Sequence, residues 1–295
     1  MRLSEMNQVV QMDILRDGEF NSLGLLSHET DKMLVSLYDT KYYRKLKSNS
    51  SISCVITTSE YAGRIPESLC VAVCDDPQAT FYGIHAYLVN ETNFYWASFD
   101  SEVSPAAIVS DRAYIAPKNV RIGRGAIIEP NVTILERSII GEDVVVRAGA
   151  VIGGEGFEPK FVKGKHIIIP HAGGVLLGDR VEIQANCHIA RCVFGGFTEV
   201  GEDTKLDALV HIAHNVRVGK RCEIAACAMF AGSCVIGDDV FIGPNASISS
   251  EVHIGSGAFI TLGAVVTRDV PKGERVSGNF AIEHSRFLSF LKSIR

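Results

Sequence analysis

Two histidines three positions apart, His211 and His214, lie in the stretch DALVHIAHNV. Neutral imidazole is the side chain best matched to taking a proton near neutral pH, so a histidine held against an attacking amine can act as general base. His214 is the stronger candidate. It follows Ile212, one of a long series of regularly spaced apolar residues, by two positions, which puts it on or near an outer surface. Gly232, at the equivalent place one full turn of the repeat further on, is expected to leave open space beside it for a substrate. The plainer reading is a histidine that only hydrogen-bonds backbone at a turn; His211 and His188 are equally readable as neighbours of a site or as surface residues. Arg217, Lys220 and Arg221 follow as a cationic cluster suited to phosphates or an acidic partner, or simply to water. Far upstream, Tyr42 could stack on a flat base, or could be a core aromatic on a helix with Tyr38 and Leu46.

Such side chains need a frame, and the frame has a period of six. Ile122, Ile128, Ile134, Ile140, Val146 and Ile152 fall six apart, then Leu177, Ile183 and Ile189. The longest run is Val200, Leu206, Ile212, Val218, Ile224, Phe230, Ile236, Ile242, Ile248, Ile254, Ile260 and Val266. Neither a helical period nor strand alternation produces this spacing. Each unit makes a short strand and a corner, three units close one coil, and stacked coils bury one aliphatic column as a parallel β-helix. Gly123 and Gly141, then Gly201, Gly219, Gly237 and Gly255, recur once per coil and are expected where the backbone turns sharply. Two breaks interrupt the period. GGEGFEPKFVKGKHIIIPHAGG, between Ile152 and Leu177, should leave the prism as a loop; the shortened step from Ile189 to Val200 should distort or omit part of a turn.

Residues 1–101 lack the period and suggest a small α/β domain, with a helix around Thr30 to Ser48 and apolar strands at SCVIT and LCVAV. Residues 102–276 form the β-helix. Residues 277–295 carry Phe287, Leu288, Leu291 and Ile294 at helical spacing and should cap the last open coil. A net charge of −5 argues against general affinity for nucleic acid. No apolar run is long enough to span a bilayer and Met1 begins no export signal, so a cytoplasmic protein is expected. The eight cysteines show no zinc spacing and are expected to be reduced and largely buried; no metal is implied.

The order IGGEGF, then IPHAGGVLLGDRVEIQAN, then GEDTKLDALVHIAHNV resembles the UDP-3-O-acylglucosamine N-acyltransferases of lipid A biosynthesis. LYDTKYYRKL and SGNFAIEHSRFL are similar to that family too, so the resemblance runs along nearly the whole chain. It implies a left-handed, trimeric β-helix with sites between subunits, and His214 as general base supported by Asp207, which would orient the ring and stabilise its charged form. Around the acceptor it implies Glu155, Gly156 and Phe157, and it sets Asp39 in a uridine-binding domain; read from their own chemistry, His211, Asn215 and Gly232 join the acceptor side, Tyr42 could stack on the uracil, and Arg217, Lys220 and Arg221 could meet the donor. Departures accompany it. Asp39 stands where the family carries an Asn-Pro pair and lacks the amide donors of Asn. The family's second active-site histidine falls on Glu251, with His253 two positions away, and Ala190 and Ala208 replace a usual Asp and Asn.

The expected activity is therefore transfer of a fatty acyl group from acyl carrier protein to the amine of a UDP-linked aminosugar, without a cofactor. The segment GAVVTRDVPKGERVSGNFA is similar to sugar acetyltransferases, which implies an alternative: acetyl-coenzyme A as donor and another nucleotide aminosugar as acceptor. A non-catalytic trimeric scaffold is the third reading, since a fold alone does not set a function.

Overall fold

The computed structural model describes residues 1–162, 164–278, 281 and 283–294. Asn279, Phe280 and Ile282 of the C-terminal motif, and Arg295 at the end of the expected helix, lie outside them. Between Glu102 and Val276 the chain winds as a three-sided prism of parallel sheets, with nine strands on face one and eight on each of faces two and three. Most strands are two residues long, and the second of the two points inward and is buried. Ile212 pairs with Phe230, and Phe230 with Ile248, each one coil further on. The period of six is thus one inward side chain per face, and each such burial contributes about 1.5–3 kcal/mol.

The recurring glycines do a different job from the one expected. Gly201, Gly219 and Gly237 do not have positive φ. A Cβ on Gly201 would instead lie 2.5 Å from the backbone of Gly219, and one on Gly219 2.6 Å from that of Gly237. They are glycines because successive coils touch there. The left-handed corners are held by other residues, among them Asn215, Ser233 and Glu251 at φ of 63°, 65° and 60°. Asparagine tolerates that region; serine and glutamate are held in it by the coils above and below.

Both breaks are insertions at the corner between faces two and three. Leu177 pairs with Ile140, so the chain between these two stacked strands is more than twice the length of an ordinary coil. Val200 pairs with Leu177, and the coil between them is again longer than the regular three units. The second break therefore adds residues and omits nothing; the step from Ile189 to Val200 is a normal unit lengthened. The longer insertion carries an antiparallel hairpin, Pro159–Val162 with Lys165–Ile168.

The N-terminal region is an α/β domain whose five-stranded sheet runs Asp13–Arg16, Cys70–Val73, Ile52–Thr57, Met33–Leu37, Ser22–Leu23, parallel except at the first pair. The helix expected over Thr30 to Ser48 is confined to Tyr43–Ser48; Met33–Leu37 is a buried strand, as its mostly apolar run permits. The major helix is Pro77–Asn90, begun by Asp76, whose side chain accepts from the Ala79 N–H, with proline in the first turn. Its Phe81, Ile84 and Leu88 share a core with Ile169, Val193 and Phe194 of the two prism insertions. The domain is thereby seated on the loops at one corner. The helix His284–Ser293 forms as expected, but none of its residues is buried and Phe287, Leu288 and Phe290 are exposed, so it caps no coil within this chain. All eight cysteines are free thiols, five of them buried and Cys227 exposed.

His85 fastens the domain to the prism. Its Nε2–H donates to the Pro170 carbonyl (2.8 Å), which leaves Nδ1 to accept from the Tyr95 hydroxyl (2.8 Å). Burial pushes His85 down to about 4, and burial does the same to His28, against the opposing charge of Glu251. Both folded values lie below the unfolded value of about 6.5, so the unfolded chain takes up protons that the native rings refuse. Stability is complete above about pH 6.5 and declines towards pH 4, by up to about 3 kcal/mol per ring. Urea unfolding at pH 7.5 and pH 5 measures this; an unchanged midpoint would mean that these rings carry protons in the fold.

Candidate functional site

His214 sits at the corner between the strands His211–Ile212 and Arg217–Val218, directly below the two insertions. Its side chain is 13% exposed. Nδ1 lies 3.1 Å from Asn215 Oδ1. That oxygen also accepts from the Val193 N–H (3.0 Å), which makes it an acceptor toward the ring and gives Nδ1 the hydrogen. Nε2 is then the ring atom that gains and loses a proton, and it faces Glu158 Oε2 at 3.3 Å, to which it donates when protonated. Burial works to raise Glu158, but hydrogen bonds from His214 and Lys160 outweigh it and hold the carboxyl down at about 2. A carboxylate so placed stabilises the charge that the ring gains on protonation.

Behind His214 lies His171, wholly buried, the ring centroids 5.4 Å apart. His171 Nδ1 faces the Ile169 carbonyl (2.9 Å) and Glu155 (3.0 Å), and Glu155 is also paired with Arg191 (3.2 Å). Burial acts to raise Glu155, and His171 and Arg191 together bring it below the usual carboxylate range. Glu155 therefore braces the loop from behind. Gly156 touches both rings: a Cβ there would lie 2.5 Å from His171 Nε2 and 3.1 Å from His214 Cδ2. Phe157 points away and is 78% exposed.

Gly232 does not supply open space. A Cβ on it would lie 2.4 Å from His214 Cε1, so the imidazole itself fills the place. Gly232→Ala must displace the ring and is expected to lower turnover about tenfold or more with little change in melting temperature, because small misplacements of a reacting group are costly. Steady-state kinetics beside a melting curve checks this, and unaltered turnover would count against His214 as the base.

Asp207 is not beside His214. It is exposed at the corner between faces one and two, where its carboxylate accepts from the Ala208 N–H. The whole width of face two separates it from His214 in the same chain, so the expected pairing is absent here. His211, on that face, stacks flat on His188 (5.2 Å, 6°). Burial lowers both rings; the neighbouring His214 adds to it for His211, and His211 for His188.

A cavity of about 320 Å³ opens on the other side of the corner, between residues 27–30 of the N-terminal domain and face three. Asn215, Arg217, Glu251 and His253 line it, which joins four of the expected site residues. Glu251 is also a tie to the N-terminal domain, accepting from Ser27 Oγ (3.0 Å) and facing Lys45 Nζ (3.5 Å). His28 lines the same wall. Its Nδ1 accepts from the Leu25 N–H (3.3 Å), which leaves a buried Nε2–H without a partner among the described residues and suited to a ligand oxygen. Lys220 and Arg221 are elsewhere, paired with Glu202 (3.2 Å) and Asp239 (2.7 Å).

Tyr42 is partly buried against the small core that holds Leu46, with its ring edge-on to Tyr38 (6.2 Å) and under Lys41 Nζ (4.8 Å). Asp39 is engaged by its own turn, accepting from the Lys41 N–H and pairing with its ammonium, both at 2.9 Å. Glu158, His171, Arg191 and His28 were not singled out from the sequence. The first two lie in the long insertion, whose position at the His214 corner was the available signal; nothing in sequence marked His28.

The bacterial transferase hexapeptide model of six repeats matches residues 119–154, 197–232 and 233–268. The UDP-3-O-acylglucosamine N-acyltransferase of Caulobacter sp. (strain K31) is 42% identical over 141 residues, 48% of this chain and 41% of that protein. That of Bordetella pertussis is 36% identical over 167 residues, 55% and 46% of the two chains. The chain thus spans about half the length of the curated relatives it matches. Among solved structures, the UDP-N-acetylglucosamine acyltransferase of Francisella novicida has a TM-score of 0.49 at 25% identity, covering 65% of this chain and 71% of that one. By its repeats and its stacked parallel faces, this chain is built on a left-handed parallel β-helix; it is similar to the bacterial transferase hexapeptide repeats over those three stretches and to the UDP-3-O-acylglucosamine N-acyltransferases over about half its length.

Proposed function

We propose that the protein is an N-acyltransferase that moves a fatty acyl group from acyl carrier protein to the amine of a UDP-linked aminosugar. The observation that carries this reading is His214, a largely sequestered imidazole whose Nδ1–H is fixed by Asn215 and whose Nε2 faces a carboxylate. The amine nitrogen attacks the thioester carbonyl, the C–N bond forms and the C–S bond breaks. The proton lost by nitrogen passes to His214 Nε2 and from there to the departing sulfur, so no cofactor is needed. Arg217 and His28, in the adjoining cavity, suit the oxygens of a nucleotide sugar.

Donor and acceptor are tested by offering acyl carrier protein and coenzyme A thioesters of several chain lengths with a panel of UDP-aminosugars. Fastest transfer from acyl carrier protein supports the reading; acetyl-coenzyme A as the better donor replaces it with an acetyltransferase, and no transfer from any donor leaves the scaffold.

The same reading includes a trimer. Asp207 and His214 occupy opposite edges of face two, so an Asp207 that assists His214 must belong to a neighbouring subunit. Light scattering is expected to give three chains, and mixing His214→Ala with Asp207→Ala protein should restore part of the activity that each lacks. A fully active monomer would remove the shared site.

A further inference from the structure

We propose that Glu158 is a built-in cap on the base: its carboxylate closes off His214 Nε2 in the free protein and must rotate away, onto Lys160, before a substrate can be deprotonated. The inference rests on the reading of His214 as the base and adds how that base is kept idle.

The ring has two nitrogens, and both are engaged. Nδ1 gives its hydrogen to Asn215 Oδ1 (3.1 Å), and Nε2 donates to Glu158 Oε2 (3.3 Å). A ring that donates from both nitrogens is the cation and has no lone pair left, so it cannot accept a proton from an amine. Sequestration completes the block. The side chain of His214 is 13% exposed and that of Glu158 17%. Neither lines the neighbouring cavity, although Asn215 does. A nucleophile bound there cannot meet Nε2 while the carboxylate stands on it.

The cap opens by side-chain rotation, because the backbone beneath it is pinned: the Glu158 carbonyl accepts from the Ile169 N–H (3.0 Å) at the base of the hairpin. Lys160, two residues on, already holds Oε1 (2.5 Å). Turned fully towards that ammonium, the carboxylate keeps a cationic partner, so opening gives up one charge-assisted hydrogen bond without stranding a sequestered charge. The other titratable groups around the pair are His171 behind the ring, His211 on face two, and His28 and Tyr82 of the N-terminal domain. None is an anion at neutral pH, and Glu155, the next carboxylate, is committed to His171 and Arg191. Once Glu158 has turned, the ring releases its Nε2 proton to solvent water and regains the lone pair. It then takes the amine's proton and passes it to sulfur as above.

Diethyl pyrocarbonate, which acylates only a neutral imidazole nitrogen, is the probe. It is applied to the full chain at pH 7 with peptide mass spectrometry, the exposed His166 and His253 serving as internal references. Relative to these, Glu158→Ala is expected to raise the rate of modification at His214 about tenfold or more, the effect of losing a charged hydrogen bond. Glu158→Asp, shorter by one methylene and still charged, should raise it by a smaller factor. Lys160→Ala removes the resting place of the opened carboxylate and should slow modification below the parent's rate. The acceptor's kcat/KM should move in the same directions, up in Glu158→Asp and down in Lys160→Ala, a pairing that a bracing role would not give. Equal modification of His214 in parent, Glu158→Ala and Glu158→Asp means that the base is already open and overturns the cap. Turnover in both Glu158 variants as low as in His214→Ala puts Glu158 on the proton path and overturns it too. Should Glu158→Ala fail to fold, Glu158→Asp and Lys160→Ala decide by their opposite directions. A parent that acylates no UDP-aminosugar defeats the acceptor reading, while the modification rates still decide the cap.

Discussion

His214→Ala is expected to lower turnover by roughly a hundredfold or more, the usual range for loss of a general base, while the protein stays folded and the donor still binds. Folding should survive because the ring lies at a corner and not in the aliphatic column: the inward residue of that strand is Ile212, and His214 meets only loop residues and Gly232. Asp207→Asn should cost less, since it leaves the imidazole in place. Steady-state and single-turnover kinetics decide the matter. A folded His214→Ala protein with normal turnover would move the search for the base to His211, His253 and Glu251.

Ile236→Asp is expected to prevent soluble folding. Ile236 is 2% exposed and sits between Val218 and Ile254 in the inward ladder of face three. Deleting its packing costs about 2–5 kcal/mol, and an unpaired carboxylate in that column adds several more, against a total stability on the order of 5–15 kcal/mol. The neighbouring Asp238→Ser should be mild. Asp238 Oδ1 accepts from the Lys220 N–H (2.8 Å), and one coil later Ser256 Oγ already does the same for the Asp238 N–H (3.1 Å). Expression of the two variants side by side, with circular dichroism on the soluble fraction, tests the register of the repeat directly. Equal solubility of Ile236→Asp and parent would mean that position 236 does not face inward.

The prism was legible because its structure is local and repeated. One inward side chain per repeat unit is a consequence of strand length and corner geometry, so Ile212, Ile236 and their equivalents can be placed from spacing alone. The same regularity misled in two places. Gly201, Gly219 and Gly237 recur once per coil, which looks like a demand for unusual φ; the demand comes from the coil above, where a Cβ would strike backbone. The step from Ile189 to Val200 looks like a deletion until Leu177 is seen to pair with Val200, one lengthened coil on. In the N-terminal domain no repeat assists, and Met33–Leu37 could be assigned to a strand only by its neighbours Ser22–Leu23 and Ile52–Thr57.

The sequence by itself determined the period, the parallel β-helix and the two places where the chain leaves it, and it singled out His214 as the imidazole proposed here for proton transfer. Only the tertiary structure decided what stands next to that imidazole. Contacts across a coil or a domain boundary join residues with no fixed separation: Glu158 and His171 reach His214 from far back in the long insertion, and His28 of the N-terminal domain lines the cavity on the other side of the corner. Asp207 is much nearer to His214 in sequence, yet the stretch between them crosses a full face of the prism. A short strand rising about 3.2–3.4 Å per residue, with its corners, carries the chain from one edge to the other. Nearness along the chain is therefore no guide to nearness at a corner, and the insertions that fold back over it supply the site.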